Sequence, residues 1–266
     1  MSNHIPLRYR HWYYVWVPIV ASLVWFGTLL AMLIIWLAQG RPKYPSQDGK
    51  IAYISDVGAS GIKPLFIAGC AITGVGFVLS LIIERLLRHT GRLMPNLRKR
   101  ERVFSILAII GAAIGGLGLL FLSIFDTKRF TRAHRVFLLV FIVGVGLSAI
   151  FSIIEYRWIS KEFKDTKQLK AAYLAKGIIA STLIILAIVF AITLFTATDV
   201  GAVFEWVIAF GFTFYLLTFW YDLRMSKNVP KGELKSRYGA HSQQEDTANM
   251  VEVNGTPTSQ NHSTTV

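Results

Sequence analysis

The chain has 266 residues, 53% of them hydrophobic and only 16% charged, with a mean hydropathy of +0.49. That balance excludes an ordinary soluble domain and suits a bundle of membrane-spanning helices. A net charge of +13 suggests nucleic acid at first sight, but the basic residues flank apolar runs instead of forming a separate basic domain, which excludes that reading.

Six apolar runs follow in chain order, at about 13–38, 64–87, 103–125, 134–155, 173–197 and 203–222. Each is long enough to cross a hydrocarbon core of about 30 Å as a helix. The first is too long for a signal-peptide core and follows a short arm carrying Arg8 and Arg10, so it reads as a retained anchor. Lys and Arg alternate between the gaps. The N-terminal arm holds two, the second gap seven from Arg85 to Arg102, the fourth gap five from Arg157 to Lys170, and the tail five from Arg224 to Arg237. The first and third gaps hold four each and the fifth none, and Lys176 falls inside a run. The positive-inside rule then places both termini in the cytosol. The predicted fold class is all-α: a polytopic membrane protein with six transmembrane helices in one bundle over residues 1–225.

Trp12, Tyr13, Tyr14, Trp16, Trp36, Tyr156, Trp158, Trp220 and Tyr221 mark the run ends as an aromatic belt. The first gap contains Pro42, Pro45, Gly49, Gly58 and Gly61, which predicts a turn-rich segment on the outer side. In the third run, Gly111, Gly115, Gly116 and Gly118 predict close helix–helix approach and a helix at the bundle centre; Gly74, Gly76, Gly144 and Gly146 serve the same end. The single Cys70 excludes an intrachain disulfide. Residues 226–266 turn to Ser, Thr, Asn, Gln and Gly and are expected to be a disordered cytosolic tail, where the sequons at Asn254 and Asn261 stay unmodified.

This topology sorts the polar residues. Ser55, Asp56, Asp126, His134, Asp199 and Glu205 all fall at outer ends of runs or in the first gap. They are expected either to pair between helices or to form an outward pocket for a lipid headgroup. Glu205 is the foremost of them, because it interrupts the apolar run Val203-Phe204-Glu205-Trp206-Val207. On the cytosolic side, Arg98, Lys99, Arg100, Arg102, Lys161, Lys164, Lys167 and Lys170 form basic clusters that either set topology or gather anionic lipid. No catalytic set, metal site or cofactor is implied. Of the six His residues only His134 lies at the outer side, too few for a multi-histidine zinc site.

Three segments carry a resemblance. Tyr53-Ile-Ser-Asp-Val-Gly58, Phe125-Asp-Thr with His134-Arg135, and Phe204-Glu-Trp-Val-Ile-Ala-Phe-Gly211 resemble the FRAG/DRAM/SFK family of six-span membrane proteins. The run His134–Phe151 with Glu155-Tyr-Arg-Trp158 is most similar to the fungal SFK-like branch. The resemblance implies a non-enzymatic adaptor or regulator of plasma-membrane phosphoinositide signalling, with anionic phosphoinositides and a phosphatidylinositol 4-kinase complex as partners. Other branches of the family imply an alternative. There the protein would bind or remodel lipid through the outward polar pocket, in glycosylphosphatidylinositol-anchor remodelling or autophagy, in a Golgi, ER or vacuolar membrane.

Overall fold

The computed structural model describes residues 13–93, 99–162 and 167–226 with the isolated positions Val229, Gly232 and Leu234; the side chains of residues 160–172 lie outside the description. A single 3-10 turn at Tyr13–Val15 leads into α1 (Trp16–Ala38). There follow α2 (Ile54–Gly58), α3 (Lys63–His89), α4 (Lys99–Ile124), α5 (Thr131–Glu162), α6 (Lys167–Thr196) and α7 (Thr198–Arg224). Six of these are long and apolar enough to cross a membrane, and the described residues contain no strand. The protein is an all-α, multi-pass membrane protein.

The helices exceed the apolar runs because helix formation continues into polar flanks. α3 opens with Pro64 in its first turn, where no intrahelical N–H is needed, and stops before Gly91 at φ 69°. α5 starts three residues before His134 and continues past the aromatic Trp158. The first gap is not turns alone. The five-residue α2 sits in it, too short to leave a periodic pattern.

Consecutive long helices pack antiparallel, and α7 returns against α1 and α3 to close a ring. The tightest seam joins α4 and α5. A Cβ built on Gly144 would lie 2.5 Å from the Gly115 nitrogen, so the two backbones touch. This close approach lets dispersion hold two helices together where the hydrophobic effect supplies no drive. α4 does not sit at the centre, contrary to the expectation from its glycines. It touches α3 and α5, while α3 is the most enclosed helix, with half of its membrane window buried against 39% for α4. A glycine stripe specifies a close partner, not a central position.

Aromatic rings fill the interior. Phe77 of α3 meets Phe212, Tyr215 and Phe219 of α7 edge-on at centroid distances of 5.6, 6.2 and 5.8 Å, and Phe212 also meets Trp25 and Phe141. Tyr13 and Trp16 are exposed, as belt residues should be, but Trp36 and Tyr156 are buried in the bundle instead.

Candidate functional site

The ring has two polar ends. At one, the basic loops gather. Tyr14 beside α1 hydrogen-bonds Ser226 after α7 at 2.9 Å, and the Arg85 guanidinium donates to the Arg102 carbonyl at 3.0 Å. At the opposite end the first loop folds inward over α7, and the outer residues singled out in the sequence are placed there.

Asp199 and Glu205 of α7 hold that loop by its backbone. Asp199 Oδ1 accepts from Lys50 N at 2.5 Å and Ile51 N at 2.9 Å. Gly49 makes the approach possible, since a Cβ there would lie 2.3 Å from the same Asp199 oxygen. Glu205 Oε2 accepts from Ile54 N at 2.6 Å, at the first turn of α2. Trp206 Nε1 donates to Ala52 O at 3.0 Å and Tyr53 Oη to Thr198 O at 2.8 Å. Asp56 closes the α2 N-terminus by accepting from Tyr53 N at 3.1 Å, and its other oxygen accepts from Ser46 Oγ at 2.6 Å. Burial lifts the Asp56 carboxyl above its usual range despite these two donors. Burial, then the nearby Glu205 and Asp56 carboxylates, push the Tyr53 hydroxyl up to about 12.

The outer residues divide by role. Ser55, Asp56, His134 and Glu205 line one polar chamber of about 50 Å³ together with Ser46, Tyr53 and others, room for a few waters or a small headgroup. Asp126 and Asp199 lie outside that lining. Asp126 receives the Lys63 ammonium at 2.6 Å and Arg129 N at 2.8 Å; burial opposes ionisation, but these contacts outweigh it and hold the carboxyl below its usual value. His134, 3% exposed, sets Nδ1 2.8 Å from Leu122 O and 3.0 Å from Phe125 O at the end of α4.

Beneath the chamber runs an apolar cavity of about 110 Å³, walled mainly by α5, α6 and α7. Leu138, Phe190 and Glu205 line both spaces, so the chamber and the cavity meet at the Glu205 carboxylate. The lining along α7 extends from Glu205 to Tyr215, about 15 Å at the helical rise, or half a hydrocarbon core. Gly146 of α5 faces open space, with nothing within 4 Å of a Cβ built there, and α5 touches α6 far less than it touches α4.

Near the basic end the structure reveals a buried ion network that the sequence reading did not assemble. Arg88 Nη2 meets Glu84 Oε1 at 2.7 Å, and Arg88 Nε lies 3.7 Å from Glu155 Oε1. Tyr156 Oη donates to Glu84 Oε1 at 2.5 Å, and Lys176 pairs with Asp222 while lying 3.9 Å from Glu84 Oε2. Lys176 Nζ also sits 3.8 Å from the Phe219 ring centroid. Four helices therefore share one set of mutually paired charges, the form in which charge is tolerated at such depth. The Glu84–Arg88 spacing of one helical turn was the one local signal; the other partners come from separate runs.

Of the basic residues singled out, Lys99, Arg100 and Arg102 are exposed. Arg98 and Lys164 lie outside the described residues, as do the side chains of Lys161, Lys167 and Lys170 and nearly all of the tail.

The sequence pattern of the Frag1/DRAM/Sfk1/Cwh43P N-terminal domain matches residues 13–226, nearly the whole membrane bundle. The chain belongs to that family. Among its relatives in the Frag1/DRAM/Sfk1/Cwh43P family, Protein sfk1 of Schizosaccharomyces pombe is 31% identical over 224 residues, covering 84% of this chain and 68% of the relative. Protein SFK1 of Saccharomyces cerevisiae is 31% identical over 192 residues, covering 61% of this chain. The match spans about half, 54%, of the Saccharomyces protein's own length. Both relatives agree with the resemblance to the fungal branch. No solved structure matches the chain.

Proposed function

We propose that this family member is a lipid-binding regulator of membrane lipid organisation. It holds one acyl chain in the cavity between α5, α6 and α7 with the headgroup in the polar chamber. The observation that carries this reading is the shared Glu205, Leu138 and Phe190 lining, which makes an apolar shaft and a polar head-space into one amphipathic site. The loose α5–α6 seam supplies a lateral route from the bilayer, and the depth of about 15 Å suits a single chain within one leaflet. The positive-inside rule orients the chamber outward.

A second reading draws on the exposed Lys99, Arg100 and Arg102, which with Arg98 would engage plasma-membrane phosphoinositides or a phosphatidylinositol 4-kinase complex from the cytosolic side. One comparison separates the two. In cells lacking the protein, Gly146→Leu is expected to fold normally, because its side chain enters open space, yet to lose at least tenfold of the co-purifying lipid by native mass spectrometry. A chain neutralised at Arg98, Lys99, Arg100 and Arg102 should retain that lipid. If Gly146→Leu keeps its lipid while the neutralised chain lowers a surface phosphatidylinositol 4-phosphate reporter, the basic surface is the working one.

A further inference from the structure

The chamber is unequal in its hydrogen-bonding groups. Both neighbours of His134 Nδ1 are carbonyl oxygens, which only accept, so Nδ1 carries the proton and donates. In the neutral ring this leaves Nε2 as an acceptor, buried in the chamber lining with no partner. Such an atom is costly while unsatisfied, so the site favours an occupant that donates. Glu205 accepts from Ile54 N through Oε2, and among the described residues no donor reaches its other oxygen. Of the lining donors, Tyr53 Oη is committed to Thr198 O and Ser46 Oγ to Asp56, while the Ser55, Thr127 and Thr198 hydroxyls can accept as well as donate. Asp48 and Asp56 add further negative charge, and among the described lining residues the one permanent cation is Arg135, exposed at the rim with its guanidinium 5.9 Å from the Phe195 ring centroid.

We propose that the chamber selects a headgroup that carries hydrogen-bond donors and no net negative charge, the hydroxyl or ammonium head of a single-chain amphiphile. His134 Nε2 and the Glu205 carboxylate are the accepting atoms. This rests on the lipid-binding reading and narrows it. An anionic phosphate head meets the acidic side chains of Asp48, Asp56 and Glu205 and an acceptor nitrogen, and finds a cation only at the rim. A hydroxyl head satisfies Nε2 and a Glu205 oxygen together.

The test uses the full chain purified in detergent and two probes that share a 9,10-dibromostearoyl chain, the monoglyceride and the lysophosphatidate. Bromine quenches tryptophan at short range, and Trp25 lines the apolar cavity, so cavity binding is read as quenching that Trp25→Phe removes. The monoglyceride is expected to bind at least tenfold more tightly than the lysophosphatidate. His134→Asn keeps an amide donor near the Nδ1 position but deletes Nε2, and should weaken the monoglyceride about tenfold while leaving the lysophosphatidate unchanged. Glu205→Gln keeps an acceptor for Ile54 N and places an amide donor on the other side, so the lysophosphatidate should improve. Equal or tighter binding of the lysophosphatidate by the parent chain overturns the headgroup assignment but leaves lipid binding standing. So does a His134→Asn chain that binds the monoglyceride as before, since Nε2 then holds only water. Quenching by neither probe overturns both the assignment and the lipid-binding reading.

Discussion

At the scale of single residues, the two aspartates beside the first loop respond oppositely to pH. Asp126 has a folded pKa below its unfolded value of about 4. Its contribution is therefore present above that value and lost as pH falls through the lower, folded one. Asp126→Asn should cost about 1 kcal/mol at pH 7, the scale of a partly exposed ion pair with Lys63, and the gap from the parent should narrow as the pH falls below about 4. Unfolding of both chains in detergent across that range measures this. Asp56 has a raised folded value, so its contribution is present below the unfolded pKa and is lost as pH rises through the folded one. The sequence placed Ser55, Asp56, His134 and Glu205 at one end because topology alone dictates depth. It did not separate them from Asp126 and Asp199, since that depends on side-chain direction around each helix. The network of Glu84, Arg88, Glu155, Lys176 and Asp222 escaped notice for a related reason. Each apolar run tolerates one or two charges, and only the packed ring brings those charges together.

At the scale of helices, the α4–α5 seam is the most sensitive contact. Gly144→Ala would drive a methyl group into the Gly115 backbone, where no side-chain rotation relieves it. The expected loss is about 1–3 kcal/mol, the usual cost of overpacking. Gly177→Ala, with nothing within 4 Å, is the matched control and should be neutral or slightly stabilising by thermal unfolding. An equal effect at both positions would mean the seam is not tight. The long helices were legible because twenty or so apolar residues in a row admit little else. Their order around the ring was not, because apolar residues face lipid and neighbours alike and carry no inside–outside pattern. α5 illustrates this: its exposed Val136, Leu139, Val143 and Leu147 are as apolar as its buried face.

At the scale of the molecule, the ion network holds α3, α5, α6 and α7 at the basic end, and its members depend on one another. Lys176→Met should destabilise by about 3 kcal/mol or more, because it strands Asp222 and removes a neighbour of Glu84. Adding Asp222→Leu should restore much of the loss, whereas simple addition of two separate penalties would show that the pair acts independently. Unfolding of the two single variants and the double variant measures the coupling. Between this network and the Glu205 chamber lies the layer of rings built from Trp25, Phe77, Phe141 and Phe212. Phe77 and Phe212 are nearly inaccessible and the rings meet edge to face, so water has little room to thread from one polar end to the other. Because the cavity that enters this layer is walled by apolar side chains, the layer is expected to insulate the two polar ends electrically, and the purified protein in a planar bilayer should pass no ionic current.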